Sequence, residues 1–254
     1  MTEDGLSFCF ETGAATHQGV VRDHNEDAYA TLPDTGIWVV ADGMGGHEAG
    51  DVASRLIVEE IASVGVPVSA QDQRARFSER LIRANERILS HAHQRQLATV
   101  GSTMASLLIY GHELSCVWAG DSRVYLLRKG ILTRLTTDHS AVARMIAAGE
   151  ITEDEARSNP SRNVITRAIG IQLTPNPETV TGMVEPQDLF LLCSDGLTEH
   201  NTDDDLRRIL QQHAPAQEIA DQLIAQTLAR GARDNVTAIV LRCISTQTDD
   251  CPEE

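Results

Sequence analysis

Short apolar runs broken by turn residues dominate the first part of the chain. SFCFETG, DAYATLP and GIWVVADG each read as strands, and PDTG joins the last two as a hairpin turn. After GMGGH the pattern becomes helical. EAGDVASRLIVEEIASVG sets Val52, Leu56 and Ile57 on one face, and Ile61 and Val64 continue it at helical spacing. VPVSAQDQ reads as a polar connector. RARFSERLIRANERILSHAHQRQ then predicts a second helix carrying Phe77, Leu81, Ile82 and Ile88.

A block of strands follows: STMASLLIYG, ELSCVWAGDSR, VYLLRKG and ILTRLT. The connectors YGHE and RKG are of hairpin length, so the strands they join are expected to be antiparallel neighbours. A parallel dinucleotide-binding sheet would need a helix between successive strands, and none fits here. Residues 138–170 change character. A short helix over 141–148 ends at Gly149, and the polar stretch to Arg162 reads as a mobile surface insertion. TVTGMVEP and DLFLLCSDG are strands, two helices are expected near 203–213 and 215–230, and NVTAIVLRCI is the last strand. The acidic tail, roughly 245–254, is expected to fray. With no internal repeat or linker in view, residues 1–254 read as one α/β domain of mainly antiparallel strands covered by paired helices.

Charge narrows the functions. The 254 residues hold 21 Lys and Arg against 37 Asp and Glu, a formal charge of −16. A nucleic-acid or anionic membrane partner would require a basic surface, so neither is expected. Five cysteines at wide spacing, with no CxxC, suggest neither a disulfide framework nor a zinc site. The start lacks the basic and apolar regions of a signal peptide, and no apolar run approaches the roughly 20 residues of a membrane span. A soluble, cytoplasmic protein is expected.

Acidic residues at strand ends carry the chemical information. Asp42 follows IWVVA and Asp195 follows LFLLCS, and each is succeeded by a glycine that permits a sharp turn and exposes a carbonyl. Taken alone, either Asp-Gly is an ordinary turn. Asp121 in AGDSR, Asp234 before the last strand, and Glu26 and Asp27 before DAYATLP add to them. Carboxylates converging beside apolar strands would repel severely without cations, and an oxygen-only set suits Mg²⁺ or Mn²⁺. Convergence itself requires a fold, which spacing does not supply.

Other candidates read more simply as structure. Gly43, Gly45 and Gly46 lack the Lys-Ser/Thr of a nucleotide loop. Ser122 has no base at a recognisable spacing. Cys193 lacks an arginine six residues on, where Glu199 stands, and is expected in the core. Arg123 is expected to pair with a carboxylate, His139 to cap or pack, and Ser102 and Thr103 to support the neighbouring strand through their hydroxyls.

RDHNED (22–27), ADGMGGH (41–47), GST (101–103), AGDSR (119–123), TTDHS (136–140), ITRAIG (165–170), CSDGL (193–197) and RDN (233–235) occur in one order. In that order and spacing, across most of the chain, they resemble the metal-dependent, type 2C Ser/Thr protein phosphatases, in particular their bacterial branch. The resemblance implies a central β-sandwich of two antiparallel sheets flanked by helix pairs. It also implies two Mn²⁺ or Mg²⁺ ions bridging a water that attacks phosphorus in line. By the same resemblance Asp42 bridges both ions, Asp195 and Asp234 hold one, and the Gly43 carbonyl and Glu26, through water, hold the other. Asp27 orients metal-bound water, and Asp121 with Asp195 forms a third, weaker site near Glu199. Arg22 binds the phosphoryl group, and 141–165 corresponds to a flap beside the active site.

One position departs from the eukaryotic pattern. Met44 stands where those members have a histidine assigned as general acid, which leaves His47 or water to protonate the leaving alkoxide. The implied partners are phosphorylated proteins and a cognate Ser/Thr kinase, and a monomer is expected. Two rival readings stay open at this point: a phosphoprotein-binding module that has lost turnover, and a hydrolase of small phosphate esters.

Overall fold

The computed structural model describes residues 8–45 and 49–245. His47 and the acidic tail beyond Ser245 lie outside them. In chain order the first elements are β1 (Phe8–His17), β2 (Asp27–Leu32), β3 (Ile37–Gly45), α1 (Gly50–Ala62) and α2 (Ala70–Arg95). Four strands follow them: β4 (Val100–Ser102), β5 (Met104–Tyr110), β6 (Glu113–Ala119) and β7 (Arg123–Arg128). Next come β8 (Ile131–Arg134), α3 (Ala141–Ala147), α4 (Glu153–Arg157), β9 (Glu178–Met183) and β10 (Leu189–Cys193). The chain closes with α5 (Asp195–Thr198), α6 (Asp203–Leu210), α7 (Ala216–Ala229) and β11 (Val236–Ser245).

The strands form two sheets. One has the order β1-β11-β10-β7-β8, and the other runs β2-β3-β5-β6-β9 with β4 paired to β3. Every ladder is antiparallel, including the two hairpins expected from YGHE and RKG. Strand alternation builds the layers. Ile37, Val39 and Ala41 face α1 and α2, whereas Trp38 and Val40 enter the core between the sheets. On β10, Leu191 and Cys193 face α5–α7 while Phe190 and Leu192 meet Trp38 and its neighbours. The result is the expected sandwich with helices on both outer faces.

Three local readings need correction. The second helix begins at Ala70 rather than Arg74, because Ser69 accepts a hydrogen bond from the Asp72 amide and caps it inside the presumed connector. Ile82 is 45% exposed, since the buried stripe runs Phe77, Leu81, Ala84, Ile88 and Ile82 lies about 100° off it. The polar stretch after Gly149 contains a helix that was not expected: Thr152 and Glu155 form a capping box that starts α4. Among the described cysteines, Cys116, Cys193 and Cys243 are free buried thiols. Cys9 is disulfide-bonded, a pairing that wide spacing could not reveal.

β1 packs so tightly on α7 that a Cβ at Gly13 would lie 2.3 Å from the Ala216 carbonyl carbon and oxygen. Backbone atoms cannot swing aside as a side chain can. Gly13→Ala is therefore expected to lower stability by about 3 kcal/mol, at the upper end of overpacking costs. Urea unfolding would register this as a lower midpoint at unchanged slope. A midpoint equal to wild type would show that α7 is not rigidly seated.

Candidate active site

The acidic positions singled out in the sequence come to one end of the sandwich. Asp27 opens β2 and is the register partner of Asp42 on β3. Asp195 follows β10, Asp234 precedes β11, and Asp121 sits in the three-residue crossing from β6 to β7, where the chain passes between sheets. Gly120 makes that crossing possible with φ +114, a conformation side chains rarely adopt.

Hydrogen bonds fix the backbones that carry these groups. The Asp42 carbonyl accepts from the Thr103 amide at 2.8 Å and from Ser102 Oγ at 2.9 Å, and the Asp42 amide donates to Thr103 Oγ1 at 3.3 Å. Thr103 and Ser122 share a buried hydroxyl contact of 2.7 Å. Ser102 and Thr103 thus support the strand through their hydroxyls, as expected, and Ser122 is engaged structurally. Asp27 Oδ2 accepts from Ser194 Oγ and Thr237 Oγ1, each at 2.7 Å, tying the two sheets together. The Gly43 amide donates to the Glu26 carbonyl at 3.1 Å, and the Glu26 carboxylate lies against Gly50 at the start of α1. A Cβ at Gly43 would sit 2.0 Å from the Gly50 carbonyl oxygen, so glycine is required there for close approach.

The electrostatics are unfavourable as they stand. Burial raises Asp27 and Asp121 each to about 6, with Asp234 and Glu26 adding to the first and Asp138 to the second. Asp42 and Asp195 go well above the usual carboxylate range, again first by burial and then by neighbouring aspartates. Both keep some solvent-accessible surface yet are enclosed by protein on their other sides, as groups on a cleft floor would be. Glu26 is raised by burial, with Arg22 opposing. Three of these carboxylates hold a buried oxygen with no hydrogen-bond partner: Asp27 Oδ1, Asp121 Oδ1 and Asp195 Oδ1. Acceptor-only atoms in that state are costly unless a positive charge meets them. A hard divalent cation fits both the oxygen-only donor set and the orphaned atoms.

The cage is not closed, however. No three acidic, histidine or cysteine groups among the described residues already surround one point. Asp234 Oδ2 is turned to Arg22 Nη2 at 2.8 Å, and Asp27 Oδ2 is engaged by its two hydroxyls.

Other expectations resolve cleanly. Arg123 pairs with both oxygens of Asp138 at 2.9 and 2.6 Å. Cys193 is buried with its thiol pushed up to about 12, which rules it out as a thiolate nucleophile. Arg162 of the insertion lies 3.9 Å from Glu199, bringing that segment beside the site. Sequence reasoning missed Asn235, whose Oδ1 accepts from the Glu26 amide at 2.8 Å while its Nδ2 donates to the Gln18 and His24 carbonyls. It also missed Thr237 and Ser194. Their signal was available, because Ser194 adjoins Asp195 and Thr237 stands three positions after Asp234, near the start of β11.

Two antiparallel sheets between helix layers, with buried aspartates from both sheets crowded at one end, define a metal-dependent phosphohydrolase of the αββα type. The model of the protein phosphatase 2C family matches residues 20–236. The chain belongs to that family and is a protein Ser/Thr phosphatase, a phosphoric monoester hydrolase acting on phosphorylated proteins. The Serine/threonine phosphatase stp of Listeria monocytogenes is 32% identical over 240 residues, covering 91% of this chain and 95% of that protein. PppA of Pseudomonas aeruginosa, described as a key regulatory component of its T6SS, superposes with a TM-score of 0.87 at 38% identity. The match covers 94% of this chain and 99% of PppA. The PstP catalytic domain in complex with two manganese ions gives a TM-score of 0.86 at 32% identity, covering 94% and 100%. No helix among the described residues is long and apolar enough to cross a membrane.

Proposed function

We propose that this chain hydrolyses phosphoserine and phosphothreonine with two Mn²⁺ or Mg²⁺ ions held by its own acidic end, and a third bound more weakly. Asp42 would serve both principal ions, Asp195 and Asp234 would hold one, and the Gly43 carbonyl with Glu26 the other. Asp121 and Asp195 would take the third. The observation that carries the reading is the pair of buried, partnerless carboxylate oxygens on Asp121 and Asp195, with Asp27 Oδ1 likewise unpartnered and left for water. When bound, divalent cations supply Lewis acidity to the phosphoryl oxygens and acidify water at neutral pH.

The protein's side chains do the rest. Asp27, fixed through Oδ2, keeps Oδ1 for a hydrogen of the attacking water. Arg22 offers a planar fork of donors to the phosphoryl oxygens, in competition with Asp234, which it now holds. His47 is the candidate for delivering a proton to the leaving alkoxide, and it lies outside the described residues. The 141–165 segment, bridged at its stem between Ser140 and Ile165, contributes to substrate choice. We place the enzyme in the cytoplasm as a single-domain monomer opposing a Ser/Thr kinase. The free thiols of Cys116, Cys193 and Cys243 fit a reducing compartment, although Cys9 is bonded.

The test is phosphate release from a phosphothreonine peptide with Mn²⁺ and then with excess EDTA, beside p-nitrophenyl phosphate. Activity on both that EDTA removes and Mn²⁺ restores is expected. Turnover of the small ester alone would favour another phosphoester substrate, and Mn²⁺ binding without turnover would favour a phosphoprotein-binding module. Arg22→Ala should raise KM for phosphate esters about 10- to 100-fold, the value of a charged hydrogen bond of roughly 1.5–3 kcal/mol. Its kcat should fall much less, and steady-state kinetics on the peptide would check the split. A kcat loss at unchanged KM would reassign Arg22 to the transition state alone.

A further inference from the structure

His139 closes β8's exit into the 141–165 segment, and its backbone and ring do different things. Its amide donates to the Gly120 carbonyl at 2.9 Å, while its ring Nδ1 accepts from the Gly120 amide at 3.1 Å. Both polar groups of Gly120 therefore end on one residue. The ring is buried and stacks on Trp118 at 5.9 Å and 14°, with Nε2 3.2 Å from Glu178 Oε1 but not aligned for a hydrogen bond. Glu178 also receives Arg167 Nη1 at 2.9 Å.

The same residue anchors the stem of the insertion. The His139 carbonyl accepts from the Thr166 amide at 2.7 Å, and the Ala141 amide donates to the Val164 carbonyl at 2.8 Å. On its far side Gly120 precedes Asp121, whose Oδ1 is buried and partnerless. The backbone on either side of residue 121 therefore sets the aim of that carboxylate. After it, Ser122 is fixed by Thr103. Before it, a Cβ at Gly120 would meet Thr103 Cβ at 2.5 Å, so the chain is closed in there too, and its remaining hold is His139.

We propose that His139 is a positioning residue: through Nδ1 on the Gly120 amide it aims the Asp121 carboxylate and ties it to the stem of the 141–165 segment. This rests on the reading of Asp121 as a cation ligand, and the test is arranged so that the two can fail separately. His139→Phe keeps a ring against Trp118 and loses the acceptor. His139→Asn loses the ring and keeps an acceptor, Oδ1, near the place of Nδ1. Both variants, Asp121→Asn and the wild-type full-length chain are titrated with Mn²⁺ by calorimetry, and amide hydrogen exchange is followed at 120–122 and 141–165.

In His139→Phe the binding step that Asp121→Asn removes should weaken about tenfold, the low end for loss of a group supporting a ligand, with the other steps unchanged. Exchange at 120–122 and 141–165 should quicken. His139→Asn should return both readouts close to wild type. A His139→Phe protein that binds Mn²⁺ and exchanges like wild type would overturn the proposal. So would a His139→Asn protein as weak as His139→Phe, because an acceptor at that place would then restore nothing. If the wild-type chain takes up no Mn²⁺, the cation reading falls. The tie then stands or falls on whether exchange at 120–122 quickens in His139→Phe and recovers in His139→Asn.

Discussion

Asp42→Asn and Asp195→Asn should each lower kcat/KM at least about 10³-fold at limiting Mn²⁺, because several kcal/mol of charge stabilisation goes with the ligand at about 1.4 kcal/mol per factor of ten. The same substitutions should make the protein more stable in EDTA. Burial, then neighbouring aspartates, push both carboxylates well above their usual range, so each charge is held against its preference. Asparagine keeps the shape and removes the charge. Relief of about 1 kcal/mol would raise the melting temperature by roughly 2–4 °C in a chain of this size. The pairing of lost activity with gained metal-free stability separates a ligand from a structural aspartate, whose loss would lower both. Thermal unfolding in EDTA and phosphatase assays on the same preparations provide the two numbers. A variant with near-wild-type turnover at limiting metal would remove that residue from the centre.

Elements with a local cause were legible in the sequence. The period-two runs around Trp38 and Phe190, the helical spacing of Leu56, Ile57 and Ile61, and the hairpin connectors all specify themselves within a few residues. The Asp-Gly strand ends were visible too, but only the fold says that Asp42 and Asp195, from different sheets, meet. That meeting depends on Asp27 bonding Ser194 and Thr237 across 167 and 210 residues of chain, which no local pattern encodes. The β6–β7 crossing is the other case. AGDSR reads as the end of a strand, yet Gly120 at positive φ sends the chain into the second sheet and leaves Asp121 between the two. Where short-range signals were misread, the tertiary partner decided. Ile82 lost its place in the buried stripe to Ala84, which suits a helix lying close against the sheet.

In EDTA the protein should lose stability as pH rises from about 4 to about 6.5, the reverse of ordinary acid denaturation. Asp27 and Asp121 are raised from 3.8 to about 6, chiefly by burial, and burial also lifts Asp42 and Asp195 well above 3.8. Between 3.8 and about 6 the folded chain therefore holds more protons than the unfolded one, and stability falls with pH. Their contribution is complete below the unfolded value and gone above the folded one, at most about 3 kcal/mol for each of Asp27 and Asp121. Asp205, held low by the Arg230 side chain, acts in the opposite sense, but its window lies below 3.8 and does not overlap. Metal-free stability should accordingly peak near pH 4–5 rather than at neutrality. Mn²⁺ competes with those protons for the same carboxylates, so the rise in melting temperature on adding it should grow between about pH 5 and 7. Thermal unfolding at about pH 5, 6 and 7, with EDTA and with Mn²⁺, tests both slopes. A metal-free protein that gains stability over that range would mean that the aspartates are ionised without a cation, and the electrostatic case for the centre would fail.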